Sequence, residues 1–182
     1  MNRENKTDLS EYKCRQTLTP KKVLWHFTSA LFFTNRFFPV NPLKIFMLRL
    51  FGAKIGGGVV VKPGVNIKYP WLLDIRNYVW IGENVWIDNL TNVKIGHNCC
   101  ISQGAMLLTG NHNYKKTSFD LILGEIVLED GVWIGAKSVV CPGVHCGSHS
   151  VLTVGSVANQ NLEPYFIYQG NPALPKRKRN IS

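Results

Sequence analysis

No stretch of this chain approaches the roughly 20 consecutive apolar residues of a membrane-spanning helix, so none is expected. The polar start, MNRENKTDLSEY, lacks the apolar core and small-residue cleavage site of a secretory signal. The five cysteines, Cys14, Cys99, Cys100, Cys141 and Cys146, are odd in number and form no CxxC pair. Free thiols in a reducing cytosol are therefore the expectation, and a disulfide scaffold or a redox motif is not. Acidic residues are scarce, 11 against 21 basic ones, which leaves a net charge of +10. That balance implies an anionic partner: a phosphate-bearing cofactor, a nucleotide-linked substrate or an acidic lipid surface. No nucleic-acid-reading motif accompanies the charge, so nucleic acid is not expected. Charged residues make up only 18% against 45% hydrophobic, and 182 residues suffice for one globular domain with an appended element.

What is abundant is a beat of six. Leu128, Ile134, Val140, Cys146 and Leu152 stand six residues apart, with Gly135, Gly143, Gly147 and Gly155 between them. Ile55, Val61 and Ile67 share a phase, as do Ile75, Ile81, Ile87 and Val93, and again Ile95, Ile101 and Leu107. Six fits neither the 3.6 of a helix nor the 2 of a simple strand. It fits a solenoid of short strands and fixed corners in which every sixth side chain points inward, Cys146 among them as a small buried apolar group. A sandwich would instead alternate at period 2 with irregularly spaced turns.

Three segments follow. Residues 1–51 form a polar arm over 1–19 and a helical cap. Pro20 opens one helical segment running to Phe38, and a second helix is expected from Pro42 to Phe51. These helices hide an open end of the solenoid, or their aromatic faces, flanked by Lys and Arg, touch an anionic membrane. Residues 52–157 form the solenoid. Its phase slips at KYPWLL, it swells by two residues at a corner holding Asp88 and Asn89, and it breaks from Thr109 to Glu125. Excursions of that length lie on one face and often build the binding site. Residues 158–182 form a C-terminal extension ending in a basic run, Lys176 to Arg179, read as a solvated tail or a phosphate contact.

The segment GVWIGAKSVVCPGV, the histidine in TGNHNY and the closing YQGNPA resemble the hexapeptide-repeat O-acetyltransferases, which include maltose, galactoside and serine acetyltransferases. NPLKIFMLRLFGAKIG, YPWLLDI, VWIGENVWIDNL and ISQGAMLLTGNH resemble the colanic acid biosynthesis acetyltransferase branch, so that the likeness covers roughly residues 40–175. It implies an all-β fold, a left-handed parallel β-helix with an N-terminal helical cap and a short C-terminal tail. The handedness comes from the resemblance alone, because the period does not set it. It also implies a homotrimer and acetyl-CoA as donor. The implied activity is acetyl transfer to a sugar hydroxyl in surface-polysaccharide synthesis, in the cytoplasm or peripherally at the inner face of the membrane.

His112 then takes the position of the catalytic base, suited to removing a proton from a hydroxyl as it attacks a thioester. Asp88 or Asn89, in the swollen corner, orients the imidazole or binds the acceptor; the two-residue insertion leaves both open. Trp133 corresponds to the wall of the acceptor site or packs on a neighbouring coil. Ala136, Val154 and Gly155 correspond to the pantetheine groove, and Asn159 and Gln160 stand where relatives often carry Thr and Lys near the nucleotide. Lys176 or Arg177 could supply the positive charge missing there.

Three rivals share the solenoid. A metal-dependent hydratase like the γ-class carbonic anhydrases needs three converging histidines. The candidates are His97, His112, His145 and His149, and the four-residue gap between the last two does not stack on a period of six, so no metal is expected. The others are a non-catalytic scaffold and an N-acyltransferase acting on a nucleotide-linked amino sugar.

Overall fold

The computed structural model describes residues 8–12 and 17–181; most of the arm expected over residues 1–19, with Cys14, lies outside them. The chain winds through about six coils. The first coil carries β1 (Lys54–Ile55), β2 (Val60–Val61) and β3 (Asn66–Ile67). The second carries β4 (Leu73–Ile75), β5 (Trp80–Ile81) and β6 (Trp86–Asp88), and the third β7 (Val93–Ile95), β8 (Cys100–Ile101) and β9 (Met106–Leu108). A hairpin of β10 (Gly110–His112) and β11 (Leu121–Leu123) interrupts the winding. It resumes as β12 (Ile126–Leu128), β13 (Trp133–Ile134) and β14 (Val139–Val140), then β15 (His145–Cys146), β16 (Val151–Leu152) and β17 (Val157–Ala158). Last come β18 (Phe166–Gln169) and β19 (Leu174–Lys178).

The coils stack into three sheets. Ile55, Ile75, Ile95, Leu128 and Cys146 are in parallel register on the first. Val61, Ile81, Ile101, Ile134, Leu152 and Tyr168 align on the second. Ile67, Ile87, Leu107, Val140 and Ala158 align on the third. All but Ile55 are buried, so the six-residue beat is the inner lining of the prism. In each short strand the neighbouring side chain points out.

The phase slips have a structural cause. Ile67 to Ile75 and Ile87 to Ile95 each span eight residues, so two enlarged corners fall one above the other. The carboxamide of Asn89 accepts from Tyr69 N at 3.0 Å and donates to Tyr69 O at 2.6 Å. One coil further on, Thr109 Oγ1 accepts from Leu90 N at 2.8 Å and donates to Asp88 O at 2.9 Å. Corner backbone that cannot pair along a sheet is thus satisfied by buried side chains.

Helix α1 (Pro20–Phe32) starts at Thr19, whose side chain accepts from Lys22 N, and α2 spans Asn41–Leu50. The expected run to Phe38 stops at Phe32. Phe33 turns into the core against Trp25, the Asn35 side chain accepts from Phe37 N, and Pro39 disfavours helix at Phe38. The two helices satisfy the open edge of the first coil, sheet by sheet. Arg49 donates to Ile55 O and Gly56 O. Asn41 bonds Val59 O and Val61 N, while the buried Lys44 donates to Val61 O at 3.3 Å. Trp25 Nε1 donates to Ile67 O at 2.8 Å. Burial, with Lys62 nearby, holds the Lys44 ammonium below the usual lysine range.

At the other end the winding continues past Val157, the expected boundary, because β18 pairs in parallel with β16. The basic run is not a free tail: β19 lies antiparallel on β18 and closes the last edge, with Arg179 donating to Gly131 O and His149 O.

Candidate functional site

His112 stands on β10 of the excursion hairpin, opposite Leu121. Its ring stacks on Phe119, with centroids 4.4 Å apart and planes within 6°. Tyr12 meets it edge-on at 5.4 Å. His112 Nδ1 lies 2.9 Å from Phe119 O. A carbonyl can only accept, so the Nδ1 proton points there and Nε2 keeps its lone pair for an incoming proton. Phe119 achieves this with a left-handed backbone, φ +49°, which is strained for a residue with a side chain.

The corner pair divides. Asn89, considered from the sequence as a partner of the imidazole or the acceptor, is wholly buried, with both ends of its amide bonded to Tyr69. Asp88 faces outward on β6, its carboxylate 2.9 Å from Lys68 Nζ one coil earlier. Asp88 O accepts from Thr109, the residue that begins the departure to the hairpin.

Trp133, Ala136 and Val154 line one groove of about 450 Å³ with Ser102, Gln103 and Thr153. Trp133 Nε1 donates to Ser102 Oγ at 2.9 Å, which fixes the half-exposed indole as a wall. Backbone makes the floor: a Cβ at Gly135 would lie 2.6 Å from Val154 N. Gly155 follows directly, donating to Ala136 O, with open space where its Cβ would be. Asn159, Gln160, Lys176 and Arg177 are exposed and outside the groove walls. Arg177 is in register with Ile167 on the sheet that carries Trp133.

The hairpin leaves at the corner between the third and first sheets, whereas the groove lies at the corner between the second and third. One sheet face separates them, up to about 20 Å for six extended residues. The imidazole hairpin and the groove therefore stand at different corners of the solenoid. Among the described residues, no group of three or more His, Cys, Asp or Glu is placed to hold a metal, and no helix is long and apolar enough to cross a membrane.

Sequence reasoning passed over Phe119, Tyr12, Lys68 and Thr109. Lys68 left a trace in preceding Asp88 by one 20-residue coil, and Thr109 in marking where the repeat breaks.

No protein-family model matches the chain. It is 35% identical over 159 residues, 87% of either chain, to the Escherichia coli K12 protein named "Putative colanic acid biosynthesis acetyltransferase WcaF". It is 28% identical over 131 residues to the galactoside O-acetyltransferase of the same strain, covering 70% of this chain and 64% of that one. A Vibrio cholerae hexapeptide-repeat acetyltransferase, solved with acetyl coenzyme A, superposes with a TM-score of 0.72 at 26% identity over 77% of this chain and 78% of that one. The outward-departing histidine hairpin, the backbone-floored groove and this likeness agree: the chain belongs to the hexapeptide-repeat acetyltransferases, an acyltransferase on their left-handed parallel β-helix.

Proposed function

We propose that this protein transfers an acetyl group from acetyl-CoA to a hydroxyl of a sugar in surface-polysaccharide synthesis, with His112 as general base. The observation that carries the reading is the Nδ1 bond of His112 to Phe119 O, which leaves Nε2 as the ring nitrogen that can accept a proton. The sugar hydroxyl gives its proton to Nε2 as its oxygen attacks the thioester carbonyl. The C–S bond then breaks, and the proton passes to the departing thiolate. No enzyme nucleophile is needed. Burial pushes Cys99 and Cys146 up to about 12, which suits packing and not attack.

The groove of Trp133, Ala136 and Val154 takes the donor's narrow pantetheine arm. Small side chains and backbone floor leave room there, and open space at Gly155 continues the path. Lys176 and Arg177, exposed on the same sheet as Trp133, meet the donor's phosphates. Asp88 receives the acceptor hydroxyl or steers it, in place of Asn89.

A homotrimer completes the site. The third sheet presents Trp86 and Met106 outward and partly exposed, and a second copy laid on that face brings its hairpin to the groove of the first. The relatives' names, with polysaccharide and galactoside acetylation in them, support the acceptor class. Leu24, Phe27, Leu31, Phe46 and Leu50, exposed on helices without an acidic residue, support a peripheral contact with an anionic membrane.

The test is thiol release from acetyl-CoA across a panel of sugars and polysaccharide precursors, with the product's linkage read by mass spectrometry. An ester on a sugar is expected. An amide on an amino sugar, or no release with any acceptor, contradicts the reading.

A further inference from the structure

Residues 12–73 hold ten of the 21 Lys and Arg and none of the 11 Asp and Glu, so the rest of the chain is balanced. The whole formal charge of +10 thus belongs to the cap and the first coil, not to the chain at large. In that region lies a cavity of about 490 Å³ between α1 and β3, outside the donor groove. Its lining combines apolar residues, Val23 and Phe27 from α1 and Ile67 from β3, with two cations, Lys22 and Lys68, and Tyr69. Lys22 Nζ donates to Thr17 O at 2.9 Å and sits 5.0 Å over the Tyr69 ring, which holds the charge in place at the cavity.

The cavity is joined to the candidate site by bonded groups. Lys68 lines it and pairs with Asp88, and Asp88 O is bonded to Thr109, from which the His112 hairpin departs. From β3 through β6 to β9 is two inter-strand steps, about 10 Å. A head group at Lys22 and Lys68 would place a short glycan attached to it at Asp88 and the hairpin. Phe27 is 62% exposed and Leu24 61%, so an alkyl chain leaving the cavity along Val23 and Phe27 stays against apolar surface.

We propose that this cavity binds the phosphate head and first alkyl units of a lipid-linked acceptor, a polyprenyl phosphate bearing the sugar to be acetylated. The proposal rests on the acetyl-transfer reading and names its acceptor class. A phosphate takes the cations and an alkyl chain takes the apolar lining, whereas a free sugar uses neither. Bulk anionic phospholipid shares the same chemistry and is separated from the carrier by the test.

Flotation of the full-length protein is measured with three vesicle preparations: phosphatidylcholine alone, with phosphatidylglycerol, and with a polyprenyl phosphate at matched surface charge. Binding to the polyprenyl phosphate vesicles is expected to be at least about tenfold tighter than to phosphatidylglycerol vesicles, the worth of one charge-assisted contact. Lys22→Glu and Phe27→Asp, both at surface positions, are each expected to remove that preference while leaving acetyl transfer to a water-soluble sugar unchanged. Equal affinity for the two anionic preparations, or variants that keep the preference, overturns the proposal. Binding is read without turnover, so a protein that prefers the polyprenyl phosphate yet transfers no acetyl group refutes the reaction and leaves the cavity assignment standing.

Discussion

At the scale of single residues, the His112 ring is held in one orientation, as the proposed base requires, and is not a loose surface histidine. Phe119 holds it twice, by ring and by carbonyl, and adopts a strained φ to do so. Phe119→Ala removes the stacking surface and loosens the ring. It is expected to lower kcat on the order of 10- to 100-fold with the donor KM little changed, since only alignment is lost. An equal rise in KM would instead mean that Phe119 binds substrate. The buried thiols make a second prediction. Cys99 and Cys146 are raised from 9.0 to about 12 by burial, so the folded chain keeps protons that the unfolded chain gives up. Stability is therefore complete below about pH 9 and falls as pH climbs toward 12. Urea titrations at stepped alkaline pH are expected to show a shallower fall for Cys146→Ala than for the parent. His112 drew notice through the family resemblance that TGNHNY helps carry, but Phe119 did not, because the stack depends on a hairpin turn whose geometry no repeat dictates. Asn89 was legible only as part of its corner, and its bonds to Tyr69 were not. A swollen corner reads as a graft for function, yet here the asparagine replaces sheet pairing at that corner.

At the scale of elements, the periodicity carried most of the fold. A strand of two or three residues has one inward side chain, and stacking repeats it every coil, so the apolar sixths map directly onto three ladders. What escaped was set by contacts between elements. Phe33 ends α1 by entering the core, and Leu174–Lys178 is a strand only because β18 offers it an edge; its own side chains are all exposed. The cap illustrates what such contacts are worth. Trp25→Phe keeps the apolar ring and deletes the bond to Ile67 O, leaving a carbonyl at the end of a sheet without its donor. A loss of about 1–3 kcal/mol is expected, with a melting temperature lower by a few degrees or more. An unchanged melting temperature would mean that water replaces the indole there.

At the scale of the whole molecule, the prism sets the imidazole hairpin and the groove at two different corners. The third sheet between them carries Trp86 and Met106 outward, beside the Asp88 carboxylate, and is the face on which the proposed trimer packs. Met106→Asp puts a charge on that face without touching the core, whose lining at this rung is Leu107. It is expected to shift the light-scattering mass from trimer to monomer and to abolish turnover, with the circular dichroism of the solenoid retained. An active monomer would show that the site closes within one chain.

The most direct measurement compares initial rates of thiol release from acetyl-CoA, with the best sugar acceptor, for the parent and His112→Ala. The account predicts a fall in kcat of about 10²- to 10⁴-fold, the range for losing a general base, with folding and donor KM preserved. A His112→Ala protein that turns over at the parent rate would contradict it.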